Sequence, residues 1–232
     1  MKRSKEASMF SFRILFLVPL LALSLAGNNA ESQDAARHGV VPLNKIPSEQ
    51  WVEKVWGDSD KAGAPYVIRI HNDAGYVVLP HVHPEDENLT VVKGSWSLGM
   101  GPHFSRSALE PLELGAFGIV PKKMAHFAWS KTETIIQVHG IGPFSTALVD
   151  PVYRLTDKGV LLVTSLLQPG SPTESSPPDC FALKIGTRVH GDAGEGIVVG
   201  ALCSPANQLT QYWVRKPSSE RFWATFQELK PL

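Results

Sequence analysis

The chain of 232 residues has few of the features that mark several large classes of protein. Its formal net charge is zero, so the sequence gives no sign of an electrostatic partner such as nucleic acid or an anionic membrane. No basic run with interleaved aromatic residues is present, which argues against a nucleic-acid interface. No Ser-His-Asp or Cys-His arrangement stands out, and no glycine loop of the phosphate-binding kind. What remains is a chain with 43% hydrophobic residues, enough for one good core.

Long hydrophobic runs are also scarce. The stretch ILFLVPLLALSLAG, residues 14–27, follows a basic start and is too short for a comfortable membrane span. Ser24-x-Ala26 has the small-x-small form of a signal-peptidase site, and Ala30 is a second candidate. We therefore predict a signal peptide over residues 1–30 and an exported protein, periplasmic or extracellular, with no stable membrane span after processing. A retained anchor is the alternative.

Cysteine is limited to Cys180 and Cys203. In an oxidising compartment the two could pair, and the chain-entropy model assigns such a closed loop about 3 kcal/mol. Two buried thiols are the alternative, because the sequence does not give the distance between the residues.

The sequence has no long helical pattern, and most of its regular segments have the pattern of short β-strands. From Tyr66 onward, eight or nine apolar or alternating segments are separated by turn signals at close spacing. This pattern predicts an all-β barrel or jelly roll. We place an N-terminal arm at residues 31–59, the barrel at 60–167, with 151–167 as an added hairpin, and a Pro/Ser linker at 168–179.

Residues 180–232 contain a separate pattern that predicts four short strands, at 187–190, 196–201, 211–216 and 222–226. Turns rich in Gly, Pro, Asn or Ser separate these strands. The pattern predicts a small β module similar to SH3-like barrels, although no motif in it is diagnostic.

The strongest chemical signal lies in GYVVLPHVHPEDENLTVVKG, residues 75–94. His81 and His83 are two positions apart, so an extended chain places both imidazoles on one face. Glu87 can return to the same point if the chain bends at the intervening proline. Two imidazoles and a carboxylate suit Zn, Mn, Fe, Ni or Cu. His126 is a candidate fourth ligand.

This stretch resembles the first motif of the cupin superfamily, G-x5-H-x-H-x3-E-x6-G. Every fixed position of that pattern is matched, by Gly75, His81, His83, Glu87 and Gly94.

A second stretch, LGAFGIVPKKMAHFAWS, resembles the second cupin motif, G-x5-P-x-G-x2-H-x3-N. Gly115, Pro121 and His126 match it. Lys123 stands where the family has glycine, and Ser130 stands where it has asparagine. Neither departure touches a ligand position, but lysine does not reach a positive φ as cheaply as glycine does.

The resemblance, which covers roughly residues 60–150, implies a small cupin barrel with inward-facing ligands His81, His83, Glu87 and His126. It implies one divalent transition metal as cofactor, Fe, Mn, Ni or Zn. A metal bound this way keeps one or two positions for water, O2 or substrate if it is five- or six-coordinate. A homodimer is implied by resemblance only.

The function expected is that of an exported metal-binding cupin acting on a small oxygenated molecule by oxidation, isomerisation or decarboxylation. A non-catalytic sensor or binding protein is the first alternative. A structural protein braced by its metal is the second.

Six further residues are candidates for lining a pocket. The polar ones fall in pairs on single strand faces, where they line the cavity if that face points inward and are ordinary solvated residues if it points outward. The aromatic ones are either pocket wall or barrel core. The six are Tyr76, Trp129, Arg69, His71, Gln137 and His139.

Overall fold

The computed structural model describes residues 52–163 and 179–232. The signal peptide predicted at 1–30, most of the arm and all but the last residue of the linker lie outside the described residues. Within the described ranges there is no α-helix, and no helix of the length and hydropathy that a membrane crossing needs.

The described residues form seventeen strands and three short 3₁₀ helices. The helices are Arg106–Ala108, Pro205–Asn207 and Phe226–Glu228. In chain order the strands are β1 (Val52–Gly57), β2 (Pro65–Asn72), β3 (Val77–Val82), β4 (Glu87–Lys93), β5 (Trp96–Met100), β6 (Glu110–Leu112), β7 (Phe117–Val120), β8 (His126–Ser130), β9 (Thr134–Ile141), β10 (Ala147–Leu148), β11 (Val152–Thr156), β12 (Gly159–Val163), β13 (Arg188–Gly191), β14 (Gly194–Ser204), β15 (Leu209–Arg215), β16 (Arg221–Thr225) and β17 (Leu229–Pro231).

Two five-stranded antiparallel sheets make the barrel. Their strand orders are β1-β2-β9-β4-β7 and β10-β3-β8-β5-β6. Alternating side chains from both sheets meet in a buried apolar core that includes Ile68, Leu89, Val91, Trp96, Ile136 and Val138. The predicted all-β class and the barrel or jelly-roll architecture are therefore confirmed. The part of the predicted arm that is described forms β1, an edge strand paired with β2.

The third sheet contains seven strands, with β14 paired to β11, β13 and β15. The four strands predicted in residues 180–232 correspond to β13, β14, β15 and β16. We expected residues 151–167 to form a hairpin added to the barrel. The hairpin of β11 and β12 instead pairs with β14 and so extends the third sheet. An SH3-like fold is not confirmed. Cys180 and Cys203 form a disulfide, with their Cα atoms 6.3 Å apart.

Contacts between polar groups attach the third sheet to the barrel. The side chain of Gln211 accepts a hydrogen bond from Val77 N and donates one to Val77 O, at 2.9 and 2.8 Å. The backbone N–H of Trp223 donates a hydrogen bond to the backbone carbonyl of Ala74 at 2.7 Å. An apolar cluster that includes Val77, Leu79, Val152, Leu202 and Trp223 is buried at this junction.

Gly75 shows why the first motif needs a glycine here. Its φ is +84°, and an added Cβ would lie 2.0 Å from the carbonyl oxygen of Trp223. The position therefore requires both the left-handed backbone and the close approach of the third sheet.

Candidate metal centre

Four buried side chains meet at one end of the barrel: His81, His83, Glu87 and His126. His81 lies near the end of β3, and His83 follows that strand. Glu87 begins β4, after the turn at Pro84. His126 begins β8 and pairs directly with His81 across the two strands. The bend after β3 thus brings the carboxylate of one sheet to the histidines of the other.

The three histidines form a group whose ligand atoms all lie within 4.8 Å of one another. Oε2 of Glu87 lies 3.4 Å from Nε2 of His83 and 3.2 Å from Nε2 of His126. The structure therefore brings together the four residues that the two motifs name. Their role as ligands stays a prediction.

Backbone carbonyls fix the orientation of each imidazole. Nδ1 of His81 donates to Leu79 O at 2.8 Å, and Nδ1 of His83 donates to Ser145 O at 2.8 Å. Nδ1 of His126 donates to Met124 O at 3.1 Å. Because Nδ1 carries the proton in each ring, the Nε2 lone pairs are left for a metal.

The donor set fits a divalent transition metal. Nε2 of His83 is buried and has no hydrogen-bond partner, since its contact with Glu87 lacks hydrogen-bond geometry. A buried nitrogen without a partner is costly unless a ligand satisfies it. Three neutral imidazoles and one carboxylate together carry one negative charge, which a divalent ion more than balances.

The electrostatics favour the ligand forms of His81 and Glu87, whereas Glu87 stabilises the protonated form of His83. Burial and the neighbouring His126 and His83 hold the pKa of His81 well below its usual value, so the ring is neutral. Burial would raise the pKa of Glu87, but its contacts with His126 and His83 outweigh burial and lower that pKa. Burial would lower the pKa of His83, but Glu87 outweighs it and raises that pKa.

A cavity of about 510 Å³ opens onto the four residues. Its walls within the barrel are mostly apolar, and Phe144 stacks on the ring of His83 with the centroids 4.7 Å apart. The barrel residues that line it include Ile70, Asn72, Val78, Leu89, Trp96, Leu98, Ile136, Phe144 and Thr146. In the third sheet, β11 with the turn after it, β14, β15 and β16 also contribute to the wall.

Of the six predicted pocket residues, Tyr76 lines this cavity and the other five do not. Arg69 and His71 alternate along β2 with the cavity-lining Ile70 and Asn72, so they lie on the outer face of the sheet. Nε of Arg69 donates to Oε1 of Gln137 at 3.3 Å on that face. Arg69, His71 and Gln137 therefore do not line this cavity, and a role for them in ligand binding stays a prediction.

The remaining two residues of that set also lie away from the cavity. His139 shares the outer face of β9 with Gln137, and its ring lies 6.2 Å from that of Phe117. Trp129 packs at the junction with the third sheet, where the guanidinium of Arg106 sits 4.7 Å from its ring.

Lys123 stands where the second motif has glycine, and its backbone conformation shows how the turn forms without one. Lys123 has a φ of +62°, so the backbone adopts the left-handed conformation with lysine in place. Its N–H donates to the carbonyl of His83 at 2.8 Å, which ties the turn to the metal centre. Ser130 is fully buried, in the position where the family has asparagine.

No family model matches the sequence, and no curated protein matches it. Among solved structures, the chain is similar to a conserved Klebsiella pneumoniae protein with a double-stranded β-helix domain, at 20% identity and a TM-score of 0.38, covering 48% of this chain and 91% of that one. A cupin-2 domain protein from Shewanella frigidimarina is similar at 17% identity and a TM-score of 0.35, covering 44% and 94%.

A variant of salicylate 1,2-dioxygenase from Pseudoaminobacter salicylatoxidans is similar at 15% identity and a TM-score of 0.30. That match covers 34% of this chain and 21% of the dioxygenase. All three matches cover less than half of this chain. A function for it must therefore be argued from the side chains of its own site.

Proposed function

We propose that this chain, whose barrel is of the cupin type, is an exported metalloprotein that acts on a small oxygenated molecule. The reaction is of the oxygenase, isomerase or decarboxylase type. One observation carries the proposal: three oriented histidines and a carboxylate converge, buried, at the end of a cavity large enough for a small molecule.

His81, His83, Glu87 and His126 would hold one divalent transition metal, Fe, Mn, Ni or Zn. When bound, such a metal supplies Lewis acidity, and redox chemistry as well if it is iron or manganese. The chain's own contribution is to fix the imidazoles through their Nδ1 hydrogen bonds. The four side chains are buried, which strengthens the electrostatic interactions among them.

Export is part of the same proposal. The bond between Cys180 and Cys203 supports it, because disulfides persist in oxidising compartments and are rare in the cytosol. The short apolar run at residues 14–27 supports it from the sequence. A homodimer stays a prediction.

A non-catalytic sensor or binding protein is the second candidate. The observation in its favour is that β11 and β14 form part of the cavity wall, so a bound molecule would contact both the barrel and the third sheet. Turnover separates the two candidates, since a binding protein would release its ligand unchanged.

The test is the metal content of the mature protein, produced by export and measured by inductively coupled plasma mass spectrometry. We expect about one metal ion per chain in the wild type and a loss of that ion in His126→Ala, because one nitrogen ligand is removed. His103→Ala is the matched control, since His103 is exposed and outside the site. Circular dichroism checks that both variants are folded.

The identity of the metal directs the search for a reaction. Iron, manganese or nickel would direct it to oxygen-dependent and Lewis-acid reactions, whereas stoichiometric zinc would make redox chemistry untenable. No metal in the wild type, after reloading with each ion, would overturn the proposal. Unfolding of His126→Ala on metal loss would show that the metal is structural.

A further inference from the structure

Part of the cavity wall comes from the third sheet and carries a positive charge. Residues 154–157, at the end of β11 and in the turn that follows, line the cavity opposite the barrel strands. Among the described lining residues, Arg154 is the one lysine or arginine. A half-buried cation in a cavity wall is stabilised by an anionic partner.

Among residues 52–163 and 179–232, no acidic side chain forms an ion pair with Arg154. The residue is half-buried, and its strand neighbours across the sheet are Leu161 on β12 and Leu202 on β14. Asp157 also lines the cavity, but it is exposed in the turn and makes no ion pair there.

Two aromatic side chains lie in the same wall. Trp213 and Trp223 are stacked, with centroids 5.8 Å apart and planes 7° from parallel, and both line the cavity. Nε1 of Trp213 donates to Oδ2 of Asp73 at 2.9 Å, and the guanidinium of Arg221 lies 5.2 Å from the Trp213 ring. These contacts hold the two indoles in place, so this part of the wall is preformed.

Tyr76 adds a neutral donor to this wall. Its side chain is buried and packs against Trp223, with ring centroids 5.1 Å apart. Burial raises the pKa of Tyr76 to about 12, so its hydroxyl keeps its proton at neutral pH. The wall therefore places the Arg154 cation near neutral aromatic side chains.

We infer that the cavity takes a small organic carboxylate with an apolar or aromatic body, whose carboxylate pairs with Arg154 and whose body lies against Trp213 and Trp223. This inference names the ligand class for the proposed function and rests on it, since the rest of the molecule would face the metal centre. Arginine suits the role because its planar guanidinium binds a carboxylate through two parallel hydrogen bonds.

The test compares two probes that differ in the charged group alone, 4-phenylbutyrate and 4-phenylbutan-1-ol. Isothermal titration calorimetry measures their dissociation constants for the metal-loaded full chain. We expect the wild type to bind the carboxylate at least about tenfold more tightly than the alcohol, as a charge-assisted hydrogen bond implies. In Arg154→Gln that preference should fall to near equality, through weaker binding of the carboxylate and unchanged binding of the alcohol.

Two further variants make the result specific. Arg154→Lys should keep part of the preference, because lysine retains the charge without the bidentate geometry. Arg215→Gln, at the exposed end of β15 and outside the cavity, should behave as the wild type. An unchanged preference in Arg154→Gln would overturn the inference, and would follow if the carboxylate bound the metal instead. Equal binding of the two probes by the wild type, or no binding of either at millimolar concentration, would overturn it too.

Metal content measured in the same samples keeps the two proposals apart. A metal-loaded protein whose preference does not depend on Arg154 would contradict the ligand class and leave the metal centre standing. A protein that takes up no metal, but whose preference is lost in Arg154→Gln, would contradict the proposed function and leave the carboxylate site standing.

Discussion

Gln211 gives the sharpest test of how the third sheet is held against the barrel. It is 1% exposed, and its amide makes two hydrogen bonds to the backbone of Val77. Gln211→Leu keeps the approximate volume of the side chain but leaves the N–H and C=O of Val77 buried without these partners. Each unsatisfied group costs about 1 to 3 kcal/mol, and the buried leucine offsets part of the sum.

We therefore expect Gln211→Leu to lower the free energy of unfolding by about 2 to 4 kcal/mol. For a chain of this size that loss corresponds to a fall in Tm of about 5 to 15 °C. Urea unfolding followed by tryptophan fluorescence measures the free energy, and calorimetry measures Tm. Gln227→Leu is the matched control, because Gln227 is exposed in a 3₁₀ helix. If both variants have the same stability, the Gln211 amide does not hold the sheet as described.

Two backbone predictions follow, each measured by urea unfolding. Gly75→Ala should cost at least about 2 kcal/mol more than Gly115→Ala, because both glycines have a positive φ but only the Cβ at Gly75 would meet the carbonyl of Trp223. Equal losses would show that this close approach is not maintained in solution. Lys123→Gly should raise stability by up to about 1 kcal/mol, since it relieves a left-handed lysine. A lower stability would mean that the lysine side chain compensates for its backbone.

The four candidate ligands could be predicted to lie together, because they are close along the chain or are brought together by strand pairing. His81, His83 and Glu87 span seven residues of sequence, so alternation and one bend bring them together. His126 begins a strand paired with β3, which places it opposite His81. The imidazole orientations could not be predicted, because the accepting carbonyls are set by the local course of the backbone.

The pocket residues were harder to predict, and the reason is instructive. The polar residues on β2 and β9 were candidates for contacting a ligand because they fall in pairs on single strand faces. The same alternation that pairs Arg69 with His71 also puts Ile68 and Ile70 on the opposite face, and apolar side chains take the core side. The apolar face of β2 therefore predicts that the polar pair on its other face points away from the core.

Spacing along the chain was enough to predict the strand-rich class, the grouping of the candidate metal ligands and the glycine positions. Tertiary structure alone decided that the hairpin of β11 and β12 joins the third sheet, and that Arg154 reaches the cavity. Those outcomes depend on contacts between distant residues, such as the bond from Gln211 to Val77 across 134 positions. A polar side chain has many possible hydrogen-bond partners of similar free energy along the chain. The packing of the whole core therefore decides which distant backbone groups it contacts.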